Sequence, residues 1–164
     1  MTDTIKITFD DAAAQATFER LMRFGRDARP MFLELSKHLT ESTQRRFKTS
    51  TDPDDVPWVD LKRGKRKPLV DSGTLRNQIY PRHGADFAEV VATAKYARFH
   101  QEGTEPFVIL PKKGKALAFP GRDGGTVFSK KVNPPGLPKR AFIGLSNDDK
   151  QAIERIAKAY LDPD

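Results

Sequence analysis

Residues 27–47 read DARPMFLELSKHLTESTQRRF, and their pattern decides the fold class. Ala28, Phe32, Leu35 and Leu39 step by four, three and four residues, which at the pitch of an α-helix aligns them in one apolar stripe that continues toward Phe47. Asp27 stands at the start, and Pro30 suits a first turn, where a backbone N–H has no helical acceptor to lose. A helix with one apolar stripe needs a surface to cover it. Upstream, Ile5, Ile7 and Phe9 alternate as in a short strand with one buried face. Asp10 or Asp11 then caps a helix carrying Ala14, Phe18, Leu21 and Met22, which Gly25 interrupts. The two helices are expected to form an antiparallel pair.

Downstream, periodicity disappears from Lys48 to Pro68. Pro53, Pro57 and Pro68, with the run KRGKRK at 62–67, mark a long exposed loop. Asp71 or Ser72 caps a short helix bearing Leu75, and Gln78–Tyr80 and Phe87–Thr93 read as paired strands around a turn at 81–86. Tyr96, Phe99 and His100 lie at helical spacing before Gly103. From Phe107 to Val132 the chain reads as extended, and GRDGG at 121–125 supplies the turn of a hairpin whose flanks carry Lys112, Lys113, Lys115, Lys130 and Lys131. After PPG at 134–136, AFIGL at 141–145 reads as a short apolar strand. Ser146 and Asp149 then have capping-box spacing ahead of a closing helix with Ile153, Ile156, Ala157 and Tyr160 on its apolar face. Asp148 and Asp149 near its start and Lys158 near its end suit the helix dipole.

The expected architecture is α+β: an antiparallel sheet with a long β-hairpin, packed by N-terminal helices and a C-terminal helix. It forms one domain over 1–164, with long loops at 48–68 and 111–140. The length of 164 residues suits a single core, while 31% charged residues and a mean hydropathy of −0.62 imply a modest one. The chain has no cysteine, so neither disulfides nor thiolate metal sites contribute. The N-terminal MTDTIKITFDD lacks the basic and apolar regions of a secretion signal, and no run of 18 apolar residues occurs. A soluble protein made in the cytoplasm, without a membrane partner, is expected. The net charge of +7 leaves nucleic acid, an acidic protein surface and simple solubility as explanations.

Catalytic patterns are sparse. His38, His83 and His100 have no histidine or carboxylate partner at zinc-site spacing, and neither a GxSxG elbow nor a GxxxxGK[ST] phosphate loop is present. Asp54, Asp60 and Lys62 imitate a metal-dependent nuclease set, in which carboxylates converge on Mg²⁺ and a lysine neutralises phosphate charge. Prolines 53 and 57 and the lack of strand-forming runs argue for a loop instead. No enzymatic activity, cofactor or metal is therefore expected. The candidate interaction residues are Trp58, Lys62, Arg63, Lys65, Arg66, Lys112, Lys113, Phe128, Lys130 and Lys131. With Lys115, Lys139 and Arg140, the cations could neutralise phosphates in a salt-sensitive, sequence-independent way. Phe107, Phe119 and Phe128 sit in alternating or apolar settings that favour packing over base stacking. Trp58 is either an anchor for its loop or an interface residue, and anchoring is favoured.

Four blocks in order resemble the phage virion morphogenesis family, the tail-completion proteins of Mu-like and P2-like phages and their relatives in long-tailed phages. They are RRFKTSTDPDDVPWVDL at 45–61, LVDSGTLR at 69–76, YARFHQEG at 96–103 and LPKRAFIGLS at 137–146. Asp55 departs from the glycine common at its place in the family, and Ala141 from the proline often found before the phenylalanine. The lysine-flanked hairpin is more like the long-tailed branch. Leu75, Tyr96, His100, Gly103, Phe142 and Gly144 are the fold-determining motif residues, with Phe99 as a further core anchor and Gly73 at another element end. The resemblance implies a structural virion protein that completes the tail and joins head to tail as a ring in the neck, assembled in the bacterial cytoplasm. The implied partners are the chain itself as a hexameric ring, head-closure or connector proteins, tail terminator or tail tube proteins, and DNA in the channel. A basic nucleic-acid-binding module and a tail terminator next to the neck are the competing readings. Loops 48–68 and 111–140 are expected to order only on docking.

Overall fold

The computed structural model describes residues 19, 27–61, 66–112, 114–121 and 123–161. The expected strand at Ile5–Phe9 lies outside them, as does all but Glu19 of the first helix.

Helix α1 spans Arg29–Thr49 and turns Met31, Phe32, Leu35, Leu39 and Phe47 inward. Ser50 closes it in the left-handed conformation, φ 61°, with its N–H donating to the Arg46 carbonyl at 2.7 Å. The next turn of chain then reverses direction under the control of Asp52. One Asp52 carboxylate oxygen accepts from the N–H groups of Asp54 and Val56, both at 2.9 Å, and Thr51 pairs antiparallel with Pro57.

The short helix α2, Thr74–Asn77, buries Leu75, and the Ser72 hydroxyl accepts from the Thr74 N–H at 3.3 Å. Strands β1, Ile79–His83, and β2, Ala88–Ala92, form an antiparallel hairpin in which Ile79 faces Ala92 and His83 faces Ala88. Pro81 belongs to β1, so the turn is shorter than expected and centres on 84–87. Val90, Val91 and Ala92 are buried, as is Ile79 at the start of the partner strand, and both strands pack on α1.

Helix α3, Ala97–Glu102, follows. Its buried contact is Ala97, whereas Tyr96 is 41% and Phe99 51% exposed. The expectation that these two aromatics anchor the core is therefore corrected. Six residues make fewer than two helical turns, and the side that meets the core is occupied by the alanine.

Strands β3, Leu117–Pro120, and β4, Thr126–Ser129, form the second antiparallel pair, with Ala118 opposite Phe128. The long continuous hairpin expected here is interrupted. Ile109 bridges Val132 and Thr104 bridges Leu137, yet Leu117 already faces Ser129. Eight residues thus ascend from Ile109 while three descend to Val132, and the surplus on the ascending side breaks the ladder into a base and a tip. Gly103 and Gly136 make the base tight. Both have positive φ, 78° and 81°, and a side chain on either would strike the opposite backbone at Leu137 or Thr104.

Helix α4, Asn147–Leu161, packs Ala152, Ile153, Ile156 and Ala157 against α1. The Tyr160 hydroxyl donates to the Asp27 carbonyl at 2.8 Å, tying the end of this helix to the start of α1. The architecture is α+β: helices and the β1–β2 sheet about one hydrophobic cluster, with the small β3–β4 sheet outside it. Among the described residues no helix is long and apolar enough to cross a membrane.

Candidate functional site

Two regions carry the residues that the sequence singles out. The first is a buried hub where 45–61 meets 140–146. Trp58 is 5% exposed, its ring lies edge-on to Phe47 with centroids 5.4 Å apart, and its Nε1 donates to the Ala141 carbonyl at 2.8 Å. Phe142 is fully buried and its ring meets Phe47 at a tilt, with centroids also 5.4 Å apart. Trp58 is thereby a core residue that tethers its loop, and it presents no free face to a partner. The expectation that this loop waits for docking is corrected for residues 48–61, which the Asp52 turn and Trp58 hold in place.

The segment 141–145 forms no strand, contrary to its apolar reading. Three side chains serve its backbone instead. Gln101 Oε1 accepts from the N–H groups of Phe142 and Ile143, at 2.9 and 3.1 Å, while its Nε2 donates to the Ile143 carbonyl at 2.7 Å. Arg46 donates to the Phe142 carbonyl at 3.0 Å. Gly144 packs directly on the Pro53 ring, where a β-carbon would collide.

Arg46 also pairs with Asp149 at 2.5 Å, and both are buried. The His38 Nε2 lies 3.3 Å from the other Asp149 oxygen but is not aligned as a hydrogen bond. Burial opposes ionisation of Asp149, but the Ser146 N–H, the Ser42 and Ser146 hydroxyls and Arg46 together hold its pKa below the usual carboxylate value. Burial lowers the Arg46 pKa against the pull of Asp149. Ser146 and Asp149 form the reciprocal cap of α4, Ser146 N–H to carboxylate at 2.9 Å and Asp149 N–H to hydroxyl at 3.1 Å. This cluster is a structural lock between α1 and α4. The sequence marks the cap by its spacing, but the Arg46 partner lies 103 residues away and carries no local signal.

The second region is the arm, residues 104–137. Phe128 is 70%, Leu110 62%, Val108 60% and Phe107 50% exposed, and Phe119 and Val127 join them. Phe107, Phe119 and Phe128, whose settings favour packing over base stacking in the sequence, do not pack in the core: these phenylalanines project. Lys112, Lys115, Lys130 and Lys131 are exposed on the same arm, whereas Lys113 lies outside the described residues. Exposed apolar area gains free energy on burial, and cations on the same arm attract acidic groups.

Lys62, Arg63 and Lys65 also lie outside the described residues, so the basic run is represented by Arg66 and Lys67. Arg66 pairs with Asp71, and the Lys67 Nζ donates to the Lys48 carbonyl at 2.8 Å. Arg140 is not a surface cation: it is 5% exposed and donates to the carbonyls of Val59 and Asp60, at 2.8 and 3.3 Å. His100 is partly buried beside Tyr96, ring centroids 5.9 Å apart, and burial together with Arg140 holds its pKa below the ordinary histidine value. Leu75 is buried, and Gly103 closes α3.

For the nuclease set, the Asp60 carbonyl serves Arg140, and Asp54 sits exposed on the Asp52 turn. Among the described residues no three histidine or carboxylate side chains converge as a metal site. The Asp55 departure has a geometric counterpart, since Asp55 adopts φ 59°, a conformation in which glycine is unstrained.

A family model described as the phage virion morphogenesis family matches residues 9–162. No curated protein and no solved structure matches the chain. The family match spans nearly the whole sequence and includes the Trp58 loop, α3 and the 137–146 segment, so the chain belongs to the phage virion morphogenesis family.

Proposed function

We propose that this virion morphogenesis protein completes the tail and joins head to tail as a ring in the neck. The arm is the observation that carries the reading. Its exposed Phe107, Leu110, Val127 and Phe128 stand beside Lys112, Lys115, Lys130 and Lys131 on a projection whose base is fixed by Gly103 and Gly136. An apolar projection held at its base buries surface on assembly, and the constrained base lowers the ordering penalty. Its partners are further copies of the chain in a closed, hexameric ring and the connector, terminator or tube proteins on either side. The mechanism is assembly, with no covalent step and no cofactor.

The exposed phenylalanines next to lysines favour one second reading, contact with the DNA passing through the channel. Salt-dependent retardation of duplex DNA measures that contribution. The neck role is tested by negative-stain imaging of lysates from a tailed phage in which this gene is disrupted, with and without purified protein. Filled heads and finished tails lying apart, then joining on addition, are expected. Intact virions, or empty heads, contradict the reading.

A further inference from the structure

Arg140 lines a cavity of about 680 Å³ together with Leu61, Lys67, Leu69, Tyr96 and His100. A guanidinium carries five N–H donors and a full charge. Here the protein offers it the carbonyls of Val59 and Asp60. Asp60 acts on it through space against the larger effect of burial, yet among the described residues no carboxylate stands within ion-pair distance of Arg140. Arg46, equally buried, has Asp149 at 2.5 Å. The contrast matters because a buried charge without a counter-ion is unfavourable unless a partner supplies one. The same cavity holds His100, whose buried Nδ1 has no hydrogen-bond partner. At the exposed rim Arg66 is paired with Asp71, which also lines the cavity, Lys67 adds positive charge, and Leu61 and Leu69 add apolar wall. A carboxylate next to an aliphatic side chain fits this chemistry.

The chain itself carries such a ligand. In residues 52–56, DPDDV, Asp54, Asp55 and Val56 are all exposed. The turn is preorganised by the Asp52 carboxylate, by the Thr51–Pro57 bridge and by the left-handed Asp55. We propose that the Arg140 cavity is a carboxylate socket filled by the acidic turn 52–56 of a second copy of this chain. The inference rests on the reading that copies associate in the virion, and supplies the contact by which they do so. The turn is preorganised before it meets the cavity, so its docking requires little ordering, and the charges steer the encounter at low salt.

Sedimentation velocity in low-salt buffer tests it with four samples: wild type, Asp54→Lys/Asp55→Lys, Arg66→Glu/Lys67→Glu, and an equimolar mixture of the two variants. The reversed residues are exposed, and circular dichroism checks that each variant is folded. Wild type self-associates, each variant alone associates at least tenfold more weakly, and the mixture recovers pairing because the unaltered acidic turn of the rim variant then meets the unaltered cavity of the turn variant. A wild type that stays monomeric, variants that associate like wild type, or a mixture that stays apart each overturn the proposal. If wild type is monomeric while N-acetyl-aspartate amide shifts the His100 imidazole resonances, the socket serves the acidic segment of another protein. Joining in the lysate assay is read separately, so protein that joins heads to tails without self-associating overturns this inference and leaves the neck function standing.

Discussion

Residues 141–146 and residues 104–137 are both poor in regular structure, and they solve the same problem in opposite ways. The hub segment gives its backbone groups to the side chains of Trp58, Arg46 and Gln101 and buries Phe142 and Ile143. The arm spaces its backbone pairs widely and leaves Phe107, Leu110 and Phe128 in water. Irregular backbone in a core survives only when side chains replace the missing ladder. Exposed apolar side chains on a projection contribute little to folding, so their role lies in what they meet. The comparison separates a region that makes the fold from one that, on the proposed function, makes the assembly.

That separation breaks most visibly at Trp58. Trp58→Ala is expected to destabilise the chain by about 3–5 kcal/mol in urea unfolding, since it removes a buried ring. Trp58→Phe, which keeps most of the ring but loses the bond to Ala141, is expected to lose roughly 1 kcal/mol. Near-neutral unfolding of the alanine variant would remove the hub from the account.

Asp149→Asn comes next, at about 3 kcal/mol, because Arg46 would remain buried without its counter-ion. The native pKa of Asp149 lies below its unfolded value, so the unfolded chain binds the proton first on acidification. Its contribution is therefore complete above the ordinary carboxylate value of 3.8 and lost as pH falls through the lower native value. Thermal melts between pH 7 and pH 3 should show the acid-side loss in wild type and a smaller one in Asp149→Asn.

Gln101→Leu sharpens the hub further. It strips partners from two N–H groups and one carbonyl, and about 2 kcal/mol is expected from leaving such groups unsatisfied. Hydrogen exchange at Phe142 and Ile143 should accelerate while that of α1 changes little. On the arm, Phe107→Ser/Phe128→Ser is expected to shift stability by no more than about 0.5 kcal/mol, as for other surface changes. A large loss there would mean that the arm belongs to the core.

Helices α1 and α4 are legible in the sequence because their apolar residues recur at helical spacing and their ends carry local signals, Pro30 in one and the Ser146–Asp149 box in the other. Trp58 as an anchor is legible too, from a lone indole in a polar loop. The segment 141–145 is misread because apolar character marks burial without saying what satisfies the backbone, and Gln101 lies some 40 residues away. Tyr96 and Phe99 are misread because spacing identifies a helix but not which side meets the core, and Ala97 takes that side. The cations of the arm are legible as exposed, whereas Arg140, one residue after the exposed Lys139, is buried by contacts with Val59 and Asp60 that no local pattern announces.

The central claim is that the arm serves assembly and the hub serves folding. It is tested most directly by adding purified Phe107→Ser/Phe128→Ser protein to the gene-disrupted lysate and counting joined particles by negative stain beside wild type. Wild-type thermal stability with loss of head–tail joining is the predicted result, and joining at the wild-type yield would contradict the account.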